Sequence, residues 1–406
     1  MVLQRVKYKE IEQIPKLALN KTFKSDFFGS SPAPFIGRYG YPKVNIGILS
    51  PQFSGDTSYY DSPKLWSKGN FAINRIAGLR YGLVNSRSCA QVKAVGKGEK
   101  FLQIVQEVGM AKTAAELEIN LKQKPQLQFK PETEIIPFGP QAQINKARIT
   151  ANTKVDAQVE KVVSDTGLNA APAIISLYQK GFEENILNKL ISTGNLGLQK
   201  NRKLVPTRWS ITAVDDTIGK QLIKEIKDCP VGEYLAYFGG SWGNYYLFLF
   251  FPEAWSYELF ETYLEHQINP WSKAGNFYST DYEDYQGRKS YAEECAGGYY
   301  ACRLSLLERM KELKRQGSCL ALRFITPEYT LPLGVWVCRE AARKALQTKP
   351  INFGSKELLL EYAKTLLKNK FGFELNLLLQ ESKLLHNQKS TQKKIAEFIT
   401  DKKIET

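Results

Sequence analysis

Polar and apolar residues along the chain change period several times, and each change predicts an element. From Arg208 to Val214 they alternate, with Arg208, Ser210 and Thr212 set against Trp209, Ile211 and Ala213. That is the period of a half-buried strand. Ile218, Leu222, Ile223 and Ile226 then recur at helical spacing, which predicts an amphipathic helix over Thr217–Lys227. Asp215 and Asp216 stand at the predicted junction. Beyond it, the aromatic runs Tyr234–Phe238 and Tyr245–Phe251 flank the turn GGSWGN and read as two core strands.

The same reasoning covers the rest of the chain. Residues 1–24 read as a polar helical lead-in, and the Pro- and Gly-rich block FFGSSPAPFIGRYGYPKV reads as a structured loop. Ala111–Lys122 predicts a helix, and Gln123–Gln143, with four prolines, an extended linker. Three short helices follow at Val155–Ser164, Ala170–Lys180 and Glu183–Ile191, with Gly181 and Gly194 as stops for the last two. Ser256–Gln267 predicts a helix, Cys319–Ile325 a strand, and Leu333–Leu346 a helix. Tyr291–Gln316 carries a long helical pattern interrupted by Gly297 and Gly298. Ser355–Lys370 predicts a helix capped by Ser355 and stopped by Gly372.

These elements predict a mixed α/β chain with two domains and a disordered or short-helical C-terminal tail. The polar passage Asn269–Arg288 marks the boundary. The divisions are then a lead-in (1–24), an N-terminal domain (25–268), a smaller C-terminal α/β domain (269–388) and an exposed tail (389–406). A length of 406 residues exceeds what one core usually holds. No apolar run approaches the ~20 residues of a membrane span, and MVLQRVKYKEIEQIPK has no apolar signal region. The expected location is the cytoplasm, with no membrane partner.

Charge sharpens the picture. Fifty-six Lys and Arg against 41 Asp and Glu leave a net +15, which favours a polyanionic partner because phosphate neutralisation drives sequence-independent nucleic-acid affinity. The six cysteines, from Cys89 to Cys338, include no CxxC pair, so no zinc site is encoded locally.

Two stretches carry candidate chemistry. In the first, Arg38, Tyr39, Tyr41 and Lys43 are interleaved with Gly37, Gly40 and Pro42. Close backbone approach at glycine beside cationic groups suits a phosphate; a rigid turn with inward-packed tyrosines fits equally. In the second, Arg208 and Trp209 precede Asp215 and Asp216. A helix cap explains the aspartates; the rival reading has them hold Mg²⁺ while Arg208 meets an anion. Asp281, Glu283 and Asp284 offer a further acidic cluster, read either as a cation site or as an exposed loop. Eight Lys or Arg between Arg339 and Lys370 form either a nucleic-acid face or a solvated helix surface.

Three blocks give the chain a resemblance to a known family. VPTRWSITAVDDTIG (Val205–Gly219), FIGRYGYPKVNIGIL (Phe35–Leu49) and ARITANTKVD (Ala147–Asp156) resemble, in order, hallmarks of the archaeal Nre proteins, a family implicated in DNA damage repair. The resemblance extends from about Phe28 to the C-terminus and implies a repair role with DNA as a partner. Many relatives open with a four-cysteine cluster resembling a zinc site, whereas this chain has no cysteine before Cys89.

The tail adds a partner. Gln392, Lys393, Lys394, Ile395, Ala396, Glu397, Phe398 and Ile399 match the peptide that binds the DNA polymerase sliding clamp, PCNA. Ile395, Phe398 and Ile399 fall at i, i+3 and i+4, so one helical turn presents them as a single plug for an apolar pocket. The competing reading is the last turn of an amphipathic helix packed on its own domain. Together these features predict a repair protein tethered to the clamp. The alternative is a phosphate-directed enzyme using Arg38, Lys43, Arg208, Asp215 and Asp216. No motif in the sequence fixes a catalytic residue or a reaction.

Overall fold

The computed structural model describes residues 3–5, 22–125, 136–266, 269, 271–272 and 275–390. Among these, thirteen strands and twelve α-helices are arranged around two sheets. The larger sheet has the order β1 (Leu3–Arg5), β11 (Asn276–Glu283), β10 (Ser256–Tyr263), β12 (Ser318–Ile325), β9 (Asn244–Phe251), β8 (Tyr234–Ser241), β13 (Ile351–Phe353). Strands from both sides of the Asn269–Arg288 passage therefore share one sheet. The smaller sheet has the order β2 (Asp26–Ser31), β6 (Ala115–Leu121), β7 (Gln141–Ile149), β5 (Val84–Gln91), β4 (Lys43–Ser50), β3 (Ala33–Ile36).

The larger sheet is buried on both faces, which is why its central strands read as unbroken apolar runs. Along β9, Tyr246, Phe248 and Phe250 face a helical layer built from α5 (Ala170–Gln179), α6 (Glu184–Ser192), α7 (Thr207–Lys227), α8 (Gly297–Leu313) and α9 (Trp336–Leu346). Leu247, Leu249 and Phe251 alternate to the other face, against Leu359, Ala363 and Leu367 of α10 (Lys356–Phe371) and against Leu378 and Leu384 of α11 (Asn376–Glu381) and α12 (Lys383–Ser390). In α10, Ser355 accepts from the Leu358 amide and Gly372 ends the helix in the left-handed region. Both features match the sequence expectation. The small sheet is covered on one face by α3 (Lys100–Met110), whose Leu102, Val105 and Val108 pack on Val44, Ile46, Leu117 and Ile119.

Helices α7, α8 and α9 run side by side in the same direction. Asp216 pairs with Arg303 and Glu225 with Lys311 between the first two. Ser305 and Glu308 meet Arg339 and Arg343 between the second two. Their three N-termini therefore lie at one end of the layer, where the C-terminal residues Tyr263 of β10 and Ile325 of β12 also converge. In open α/β sheets that end is where ligands bind.

Several expectations change. Arg208–Val214 is not a strand: one helix, α7, runs from Thr207 to Lys227. Its buried positions include Ser210 and Asp215 beside Val214, Ile218 and Leu222, so polar residues on the inner face mask the helical period. Ala111–Lys122 is not a helix but β6, with Ala115, Leu117, Ile119 and Leu121 buried at period two. Ser256–Gln267 yields β10, whose Glu258 and Glu261 are buried and partnered and so imitate the polar face of a helix. The Pro/Gly-rich block is β2, β3 and the start of β4, leaving a turn only at 37–42. Within the predicted lead-in, Leu3–Arg5 forms a strand. Gln392–Ile399 lie outside the described residues.

Candidate nucleic-acid interface

The turn at 37–42 is tightly built. The Gly37 amide donates to Asn45 O at 2.8 Å and the Lys43 amide to Gly40 O at 2.9 Å. Gly40 has φ +82°, and a Cβ there would approach Lys43 O to 2.7 Å, so the turn requires glycine. Arg38 lies over the ring of Tyr39 at 4.7 Å and donates to its hydroxyl at 2.9 Å.

The first turn of α7 lies against this hairpin. The Ile36 amide donates to Thr207 Oγ1 at 3.0 Å, and the rings of Tyr41 and Trp209 lie 5.4 Å apart. The two hallmark stretches thus meet. Arg38, Arg208 and Trp209 line one cleft of about 510 Å³, together with Asp216 and Lys220 of α7, Arg288, Lys289 and Tyr291 from the segment leading into α8, and Tyr300 of α8 itself. Tyr39, Tyr41 and Lys43 stand beside it in the turn and do not line it.

The far wall is organised by Arg288. Its guanidinium donates to the carbonyls of Tyr282, Ser290 and Tyr291 at 2.9, 3.3 and 3.0 Å and pairs with Asp281 at 3.1 Å. The Tyr291 and Tyr300 rings stack at 5.6 Å. Among the described residues, five cations and one carboxylate line the cleft, and that carboxylate, Asp216, receives Arg303 and Lys220, each at 2.6 Å. With Lys220 matched by Asp216 and Arg288 by Asp281, the cationic excess of the lining rests on Arg38, Arg208 and Lys289, with aromatic rings between the charges.

The aspartate pair does not act as a pair. Successive residues on an α-helix point about 100° apart, and these two reach different neighbours. Asp216 turns to α8, where Arg303, fully buried, bridges it to Glu283 at 2.8 Å. Burial alone would lower the pKa of Arg303, but Glu283, Tyr299 and Asp216 more than reverse it. Asp215 turns to α9 and accepts from Arg339 at 2.6 and 2.7 Å inside the core. Burial pushes its carboxyl up to about 6 against the pull of Arg339. Both lie mid-helix, so the helix-cap reading fails with the predicted strand boundary. No group of three or more His, Cys, Asp or Glu able to hold a metal occurs among the described residues.

Other acidic and basic runs resolve similarly. Asp281 and Glu283 are matched by Arg288 and Arg303 rather than grouped as a cation site. Arg339 and Arg343 are consumed by Asp215, Glu184, Glu308 and Glu340, so the basic count between Arg339 and Lys370 does not form a single face. Sequence reasoning did not single out Lys220, or Lys289, Tyr291 and Tyr300, which join the site only through the packing of α7 on α8 and its lead-in.

The model of the archaeal Nre N-terminal domain matches residues 7–272, and that of the C-terminal domain matches residues 283–398. The chain belongs to the archaeal Nre family. It is 35% identical over 352 residues to the DNA repair protein NreB of Archaeoglobus fulgidus, covering 86% of this chain and 87% of that one. It is 35% identical over 325 residues to the DNA repair protein NreA of Haloferax volcanii, covering 79% and 77%. The same identity over 344 residues relates it to NreA of Archaeoglobus fulgidus, covering 84% and 85%. No solved structure matches. In this Nre protein the cleft lies where the two family regions meet, Arg38 and Arg208 coming from the first and Arg288, Lys289 and Tyr291 from the second. None of its described helices is long and apolar enough to cross a membrane.

Proposed function

We propose that this Nre protein acts in DNA repair by binding the DNA backbone in the cleft at the start of α7, while its C-terminal segment docks on the sliding clamp. The observation that carries the DNA reading is the convergence of Arg38, Arg208 and Lys289, with the paired Lys220 and Arg288, on one cleft that has Asp216 as its one carboxylate among the described residues. Phosphates approaching it would displace counterions from both partners, the main source of sequence-independent affinity. The repair assignment draws on the names of its relatives. The clamp assignment rests on the plug formed by Ile395, Phe398 and Ile399 with Gln392 one turn earlier. That segment follows α12 in the sequence, and the first turn of α12 is held by Glu258 through Ser382 Oγ and the Lys383 and Leu384 amides.

Fluorescence anisotropy with labelled DNA tests the cleft. Arg38→Glu combined with Arg208→Glu should weaken binding at low salt by about tenfold or more and flatten the salt dependence. Lys43→Glu, a change outside the cleft, should do much less. Equal affinity of the double variant and the parent would remove the cleft from the proposal.

A further inference from the structure

We infer that the cleft is a single-strand site, in which unstacked bases lie on Trp209 and Tyr291 while the backbone follows the cations between them. This rests on the DNA-binding reading above and adds the form of the substrate.

Three observations carry it. The first is size. A cleft of about 510 Å³ falls within the ~300–1,000 Å³ of small-molecule pockets. It takes a nucleotide or two, whereas a duplex is far wider and could meet only its rim.

The second is the rings. Trp209, Tyr41 and Tyr291 are 46%, 49% and 40% exposed, and each contacts a second ring, Tyr41 and Trp209 at a tilt of 52° and Tyr291 stacked on Tyr300. Tyr41 and Trp209 support one another at 5.4 Å on the α7 wall. Tyr300 backs Tyr291 at 5.6 Å on the opposite wall, and its hydroxyl is fixed by the Ala292 amide at 2.9 Å. Aromatic side chains held by a neighbouring ring and still partly exposed offer a platform to a base. Bases in a duplex already have both faces covered by their neighbours, so only an unpaired strand can use such platforms.

The third is charge. Arg208 and Lys289 line the same cleft as Trp209 and Tyr291, so cations are at hand for the phosphates of stacked nucleotides. Stacking contributes a sequence-tolerant increment per base, and the cations contribute the salt-dependent remainder.

The test uses the full chain and a labelled oligonucleotide of about 16 nucleotides, single-stranded or annealed to its complement. The single strand should bind at least about tenfold tighter. Trp209→Ala and Tyr291→Ala should each remove most of that preference, while Trp209→Phe, which keeps a ring, should retain it. Binding should also quench tryptophan emission in the parent and much less in Trp209→Phe. Duplex binding as tight as single-strand binding, or a Trp209→Ala protein that binds the single strand like its parent, would overturn the inference. If Trp209→Ala is neutral but Arg38→Glu with Arg208→Glu is not, the DNA-binding reading stands and the single-strand reading falls. Absence of binding to either form removes both.

Discussion

The rings of Tyr41 and Trp209 lie 5.4 Å apart, and their contact joins a glycine turn of the small sheet to the first turn of a helix that packs on the large one. Both rings are nearly half exposed, so little of their area is spent on the core. An aromatic pair of this kind contributes about 0.5–1.5 kcal/mol. Tyr41→Ala should therefore lower the melting temperature by only about 1–2 °C while loosening the side of the cleft that carries Arg38. DNA affinity should fall severalfold, mainly through faster dissociation. A large loss of stability without loss of binding would show that the contact is structural only.

Arg303 is the strut beneath the cleft. It is fully buried, with Asp216 at 2.6 Å on one side and Glu283 at 2.8 Å on the other. Removing one member of a buried ion network leaves charges unpaired and costs about 3–5 kcal/mol. Arg303→Met should approach that figure in urea unfolding at neutral pH. Asp216→Asn should cost less, because Asp216 is partly exposed and Glu283 still neutralises Arg303. Equal losses for the two substitutions would contradict the geometry.

Asp215 and Asp216 also measure how far the chain can be read without its fold. The sequence showed an Arg-Trp start, two acids and a helix, and all were real. What it could not show was the direction of each acid, since that depends on Arg303 and Arg339, residues brought alongside only when α8 and α9 pack parallel to α7. Core strands were legible where burial on both faces produced continuous apolar runs, as in β9. They were misread where buried charges interrupted the run, as Glu258 and Glu261 do in β10. The hallmark stretches could be named from sequence. Lys289, Tyr291 and Tyr300 could not, because the signal that recruits them is tertiary.

The opposite fates of the two acids give a second test. Asp215→Ala leaves Arg339 buried without its carboxylate and should destabilise by about 3–5 kcal/mol. Asp215→Ala combined with Arg339→Met should recover much of that loss, because the pair is removed together. Neither change touches the cleft surface, so the DNA affinity of folded protein should stay near that of the parent. Strong loss of binding in the well-folded double variant would instead give Asp215 a direct role.

Acid stability should depend on Glu184. Burial raises its carboxyl, but Arg343 and Arg339 outweigh burial and hold it well below its ordinary value. A carboxyl with a lowered folded-state pKa releases its proton more readily in the native protein, so the unfolded chain binds more protons as pH falls. The stabilisation is complete above the unfolded value of about 4.3 and is lost below it. Glu184→Gln should thus cost most at pH near 7, and the gap from the parent should narrow on acidification. A gap that stays constant across that range, measured by urea unfolding, would remove Glu184 from the acid response.

The tail should act independently of the cleft. On the proposed docking, Ile395, Phe398 and Ile399, at i, i+3 and i+4 in the sequence, would enter an apolar pocket and Gln392 would hydrogen-bond at its rim. Lys393 and Lys394 add long-range attraction to an acidic partner surface, an effect expressed in association rate. The third apolar position is Ile399 rather than an aromatic ring, so less area is buried and affinity should be modest. Phe398→Ala removes the largest group of the plug, and loss of such an anchor typically costs 2 kcal/mol or more, about thirtyfold in affinity. Calorimetry with the purified clamp should show binding by the parent and none by Phe398→Ala at the same concentration. Melting temperature and DNA binding should be unchanged in the variant, since the cations and rings invoked for DNA come from the turn at 37–42, from α7, and from α8 with the segment leading into it. If clamp binding persists in Phe398→Ala, the plug is not the docking element; if clamp and DNA binding fall together, the tail and the cleft are one site rather than two.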